Sequence, residues 1–142
     1  MADHTETNKA IVRKFVDALN ARDFEALDEI IAPNYFRHSY AGPGIGSLEE
    51  LKAYFRDEFV SFPDAFETIE DMIAEGGRVA VRISFRGTQA APMGQYPAAG
   101  KVMAVDYLAI YRIEDGKIVE AWAEWDNLAG LRQLGHIDSG GH

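Results

Sequence analysis

The sequence predicts an α+β domain whose sheet is mostly antiparallel. Apolar residues recur at helical spacing as far as Phe62, and beyond Pro63 the texture changes to strand-like runs separated by glycine-bearing turns. Helices grouped ahead of strands argue for an α+β fold over an alternating parallel one.

From Thr7 onward, Ile11, Val12, Phe15, Val16 and Leu19 share one helical face, with Thr5 or Thr7 as the cap and Asn20 near the stop. Asp23 is placed to cap a second short helix carrying Phe24, Leu27, Ile30 and Ile31. Pro33 ends it, since the residue before proline avoids the helical region. A short edge segment, Tyr35 to Ser39, comes next. Tyr40 to Gly46 holds three glycines and a proline and reads as a flexible lid or plain loop. It fails the spacing of a phosphate cradle, and no Lys-Ser/Thr follows. Ser47-Leu48-Glu49-Glu50 is a capping-box pattern, so a third helix begins at Leu48 and carries Leu51, Tyr54, Phe55, Glu58 and Phe59.

The strand-like runs are Phe66 to Ala74, Val79 to Thr88, Val102 to Ile113 and Ile118 to Trp125. Gly76-Gly77 and Glu114-Asp115-Gly116 close hairpins, and Gln89 to Gly100 is a longer connection. Leu128, Leu131 and Leu134, stopped by Gly135, make a closing helix. The Val102 to Ile113 strand is apolar on both faces, which a sheet open to water should not be. One face is expected to meet the helices and a pocket and the other a second copy of the chain, so a homodimer is predicted.

At 142 residues and 47% apolar content, one domain spanning 1–142 is expected. No run of eighteen apolar residues occurs and the start is polar, so neither a membrane span nor a signal peptide is expected and a cytoplasmic location is. The absence of cysteine removes disulfides, thiolate nucleophiles and Cys-ligated metals. A formal charge of −9 without a Lys/Arg cluster opposes nucleic-acid and membrane binding, leaving a small hydrophobic molecule as the expected partner. Of the histidines only His38 is internal, and no HExxH-like spacing exists, so neither a metal nor another cofactor is expected.

The chemistry is expected at GKIVEAWAEWD. Period-two alternation puts Ile118, Glu120, Trp122, Glu124 and Asp126 on one face and Val119, Ala121, Ala123 and Trp125 on the other. A carboxylate beside an indole suits acid/base work, and Asp126 can equally cap the closing helix. The pattern leaves open which face lines the pocket. The Trp122 face is placed inside because a ligand cavity needs some polar groups. A two-residue turn would set Glu124 opposite Tyr107, and a three-residue turn opposite Asp106. His38 alternates with Phe36 and could face the interior, as a packing residue or as a catalyst. Glu67, Glu70 and Asp71 read as a solvated face.

The run ARDFEALDEIIAPNYFRH, the segment FPDAFETIEDMIAEGGRVAVR, Gly87-Thr88 and the GKIVEAWAEWD…LRQLG stretch together resemble the SnoaL-like polyketide cyclases, from about Asn8 to Gly135. The resemblance implies a nuclear-transport-factor-like cone, in which a strongly curved sheet wraps helices around an internal pocket, with flexible termini outside it. It implies cofactor-free intramolecular aldol ring closure, with Asp126 as acid/base and His38 as the matching early histidine. The family often carries Thr-His where this chain has Thr88-Gln89, so Gln89 would donate in its place. Trp122, Gln89, Tyr35 and Glu124 complete the expected substrate contacts. Another lyase, isomerase or hydrolase on the same cone, or a non-catalytic dimeric carrier of a hydrophobic ligand, are the alternatives.

Overall fold

The computed structural model describes residues 4–138; His142 and the outermost of the ends expected to be flexible lie outside the described residues. The order is α1 (Thr5–Asn20), α2 (Leu27–Ile30), β1 (Ile31–His38), α3 (Leu48–Ser61), β2 (Phe66–Glu75), β3 (Arg78–Thr88), β4 (Val102–Glu114), β5 (Lys117–Trp125) and α4 (Asn127–Leu134). The strands form one sheet in the order β1-β5-β4-β3-β2, antiparallel except that β1 runs parallel to β5. This is the curled α+β cone expected.

Helix α1 buries Val12, Phe15, Val16 and Leu19 against the concave face of the sheet. Its cap is His4 rather than Thr5 or Thr7, and it makes no side-chain cap bond. Asn20 closes the helix and grips β2 with its amide: Nδ2 donates to the Glu67 carbonyl at 2.8 Å, and Oδ1 accepts from the Glu67 N–H at 2.9 Å. The second helix is shorter than its apolar pattern suggests, because Ile31 already belongs to β1 and that edge strand runs through Pro33. Helix α3 starts at Leu48 as expected, with Ser47 Oγ accepting from the Glu50 N–H at 3.1 Å.

The two-residue turn Asp115-Gly116 joins β4 to β5, both residues adopting positive φ as a tight hairpin requires. One irregularity then decides the layout of the site. Ile118 pairs with Ile113 but Glu120 pairs with Arg112, so Val119 is an extra, bulged residue on β5. Beyond it the register shifts by one, and Glu124 lies opposite Leu108, matching neither register expected from turn length alone. Parity shifts too: Ile118, Ala121 and Ala123 all face the core, while Glu120, Trp122 and Glu124 face outward.

Candidate active site

A cavity of about 440 Å³ opens between α1, α3, α4 and the concave face of the sheet. Phe15, Leu51, Phe55, Phe85, Val105 and Ala123 give it a mostly apolar lining, and Ala41, Gly42 and Pro43 form part of its rim. The rim loop is fastened, not free. The Glu124 carboxylate accepts from the Tyr40 N–H at 2.8 Å, the Ala41 N–H at 3.1 Å and the Ser39 hydroxyl at 3.2 Å, and the Asn127 amide donates to the Ala41 carbonyl. Gly42 is required there, since a Cβ at that position would sit 2.6 Å from the Trp125 ring.

The face of β5 that lines the cavity carries Ala121, Ala123 and Trp125, the reverse of the face placed inside from the sequence. The bulge at Val119 makes the more uniformly apolar face the inner one, which is also where burial is most favourable. Trp122 therefore stands outside, stacked on the His38 ring at 5.2 Å and beneath the Arg78 guanidinium. Glu124 is exposed and serves as the clamp of the rim loop, with its pKa lowered chiefly by the Tyr40 N–H.

His38 also points outward, because Tyr35 and Arg37 are the inward residues of β1 while Phe36 is 43% exposed. Its Nε2 meets Glu120 Oε2 at 2.7 Å, and Glu120 Oε1 accepts from Arg112 Nε at 2.9 Å, so His38 ends a charged network on the convex side. Gln89 is fully buried but away from the cavity wall. Its Nε2 donates to the Ala91 and Tyr96 carbonyls, and its Oε1 lies 2.6 Å from His136 Nε2, which pins the 89–100 connection. Tyr35 does line the cavity, at 1% exposure.

Asp126 sits at the mouth. It is exposed and lines the cavity, and Oδ1 caps α4 by accepting from the Ala129 N–H at 3.0 Å. The helix-cap geometry and a position beside the cavity thus coexist at one residue.

Two carboxyl groups that the sequence did not single out lie in the cavity wall. Glu67 is 8% exposed, and its Oε1 accepts from the Tyr107 hydroxyl at 2.7 Å. Burial pushes its carboxyl up to about 7. Glu58, reached from α3, is pushed up to about 8, by burial first and then by the neighbouring Glu67. Of the acidic run read as solvated, Glu70 and Asp71 are exposed and Glu67 is not. Alternation along β2 sends Glu67 inward beside the exposed Phe66, and Glu58 follows Tyr54 and Phe55 at helical spacing. A carboxylate on an otherwise apolar helical face was the available signal for Glu58; for Glu67 the sequence carried none, because its period-two face also holds Asp71 and Glu75 until the irregularity between Ile69 and Asp71 changes the phase. The described residues contain no cluster of histidine and carboxylate groups able to hold a metal, and none of the helices is long and apolar enough to cross a membrane.

A curled sheet closed by helices over an apolar cavity, with ionisable groups at mouth and wall, defines the cone-shaped class of α+β proteins. Among solved structures, IdmH, a proposed polyketide cyclase from Streptomyces antibioticus, is 32% identical with a TM-score of 0.81, over 90% of this chain and 98% of that one. TsrD from Streptomyces laurentii is 28% identical with a TM-score of 0.84, over 96% and 100% of the two chains. A proposed SnoaL-like polyketide cyclase from Jannaschia sp. CCS1 shares the fold at 21% identity and a TM-score of 0.86, over 96% and 97% of the two chains. No curated protein matches. Residues 9–134 match the SnoaL-like polyketide cyclase family, and the chain belongs to that family.

Proposed function

We propose that the protein is a cofactor-free cyclase that closes a ring in a small hydrophobic carbonyl compound by intramolecular aldol addition. One observation carries the reading: a single mostly apolar cavity is bordered by the Asp126 carboxylate at its mouth and by the high-pKa Glu58 carboxyl in its wall. Asp126 removes a proton from a carbon flanked by carbonyls. The enolate carbon attacks a second carbonyl of the folded substrate, forming the C–C bond and leaving an alkoxide on that oxygen. Glu58, held protonated near neutral pH, supplies the proton to this oxygen, and Asp126 returns its own to solvent, so Glu58 is recharged from water. A neutral carboxylic acid in an apolar site is an effective donor to developing negative charge. Holding the chain folded supplies much of the remaining acceleration.

The exposure of Asp126 and its cap bond favour a second reading, a non-catalytic carrier of hydrophobic ligands. Asp126→Asn separates the two, because asparagine caps a helix about as well as aspartate. The cyclase reading expects the melting temperature and ligand binding of this variant to be preserved, while ring closure of β-keto substrates, followed by absorbance, falls by about 10²- to 10⁴-fold. A wild-type chain that binds such compounds without converting them, and a variant that binds them equally, would establish the carrier.

The partner in solution is a second copy, seated on the convex face. In support, β-ladder pairing aligns His38, Trp122, Ile110, Ala80 and Ile73 in one row across the sheet, with Ile73 at 72% exposure and Leu108, beside the row, at 62%. A two-faced apolar β4 needs such a cover. On this reading the pocket and pairing faces are exchanged relative to the sequence expectation. Sedimentation should give twice the chain mass of 15.8 kDa, and Leu108→Glu should halve it. A wild-type monomer at micromolar concentration refutes the pairing.

A further inference from the structure

Arg37 is a buried cation with no carboxylate in direct contact among the described residues. It lines the cavity at 6% exposure, fixed by β1, whose alternation turns it inward beside Tyr35. Its Nη2 donates to the Pro43 carbonyl at 3.2 Å, and its Nε is sealed from solvent without any acceptor. The Tyr54 ring lies 4.4 Å and the Trp125 ring 5.3 Å from the guanidinium carbon. Among the described residues, no Asp or Glu forms an ion pair with it.

Taking a guanidinium out of water costs several kcal/mol unless an anion compensates. Rings on its faces, the Tyr54 hydroxyl and the Pro43 carbonyl recover part of that, and Nε is left without an acceptor. The nearby carboxyls fill the role only in part: burial holds Glu58 toward its protonated form at neutral pH and leaves Glu67 partly protonated, and the ionised Glu124, which acts on Arg37 through space, is exposed and already accepts from the Tyr40 and Ala41 N–H groups. One donor of Arg37 is thus unmet in an otherwise organised pocket, and Arg37 lines the cavity that a ligand would enter.

We infer that the cavity binds hydrophobic ligands bearing a carboxylate, with that carboxylate paired to the Arg37 guanidinium and the apolar body lying along Phe15, Phe55 and Val105. This deepens the cyclase reading by naming the substrate class as carbonyl compounds that carry a free carboxylate. The same pairing orients the substrate, since its anionic end is held at the β1 wall while the reacting carbonyls extend along the apolar lining.

The test compares 2-naphthoate with 2-naphthamide, matched in size and shape, by calorimetry at pH 7 on the full chain. The acid is expected to bind at least about tenfold more tightly, as for a desolvated charge pair. Arg37→Met, which keeps the apolar bulk, is expected to bind the amide as the wild type does and to lose the preference for the acid. Equal binding of the two ligands by the wild type overturns the inference, as does an acid preference that survives Arg37→Met, or an acid that fails to bind at about 1 mM. Should Arg37→Met not fold, the wild-type pair of measurements still decides. Turnover plays no part in this readout. An acid preference in a chain that closes no ring keeps the anion site and removes the cyclase, and ring closure of neutral substrates without an acid preference does the reverse.

Discussion

Raising the pH from 5 to 8.5 is expected to lower the melting temperature of the wild-type chain, and Glu58→Gln/Glu67→Gln is expected to remove most of that fall. Both carboxyls are raised above the ordinary glutamate value of 4.5, to about 8 and about 7. The folded state therefore holds these protons more tightly than the unfolded chain. Their contribution is complete below the unfolded value and is lost as the pH climbs through the folded ones. Each pH unit over which one group is ionised only in the unfolded chain removes about 1.4 kcal/mol. Because Glu67 is itself among the causes that raise Glu58, the two titrate as a pair, and the total slope is the quantity to measure. Asp64, Glu120 and Glu124 have lowered values, so their contributions vanish only at acid pH and stay constant across this window. Together these two groups remove about 7 kcal/mol over this window, so the wild-type fall should be on the order of 15 to 30 °C for a domain of this size. A flat wild-type profile, or an undiminished fall in the double glutamine variant, would show that these carboxyls are ordinary.

Phe15→Ala should be among the most destabilising single truncations of the cavity wall. Phe15 is 3% exposed and meets two rings edge-on, Phe55 at 6.3 Å and Tyr111 at 5.7 Å between centroids. Removing it forfeits burial, both ring contacts and the close packing of α1 against the sheet, at a cost of about 3–5 kcal/mol. The new void opens into the existing cavity instead of forming a sealed hole, so the lower half of that range is expected. Chemical denaturation measures it: a midpoint shift with unchanged slope is predicted, and a loss below about 1 kcal/mol would mean that α1 is not the floor of the cavity. The enlarged cavity should also admit bulkier ligands than the wild type does.

Several parts of the site were within reach of pattern alone. Asp126 was placed at the end of the last strand and the start of a helix, and it is found there, lining the cavity. Tyr35 was named as a substrate contact, and it lines the cavity wall. His38 and Trp122 went to the wrong side for one shared reason. Each was assigned from a strict period of two, and the phase of that period is not written in a short segment whose faces are both mixed. Along β5 the phase also breaks at Val119, so counting inward from Ile118 reaches Trp122 when the folded strand turns Ala121 inward. Gln89 was read by its place in a family pattern, and its amide is instead committed to holding a connection.

What the sequence determined by itself is the kind of object this is: an α+β fold, its capped α3, its hairpins at glycine turns, and its membership of the SnoaL-like polyketide cyclase family. The elements follow from local propensity and periodicity and the family from the resemblance of several motifs in order, all of them carried by residues near one another in the chain. Which side chains share the cavity was decided only in three dimensions, where one bulged residue set the phase of β5 and the packing of β1, α3, β2 and β4 brought Arg37, Glu58, Glu67 and Tyr107 around one hollow. The pKa values of the wall carboxyls belong to that enclosure as well, because desolvation depends on what the rest of the chain packs around them.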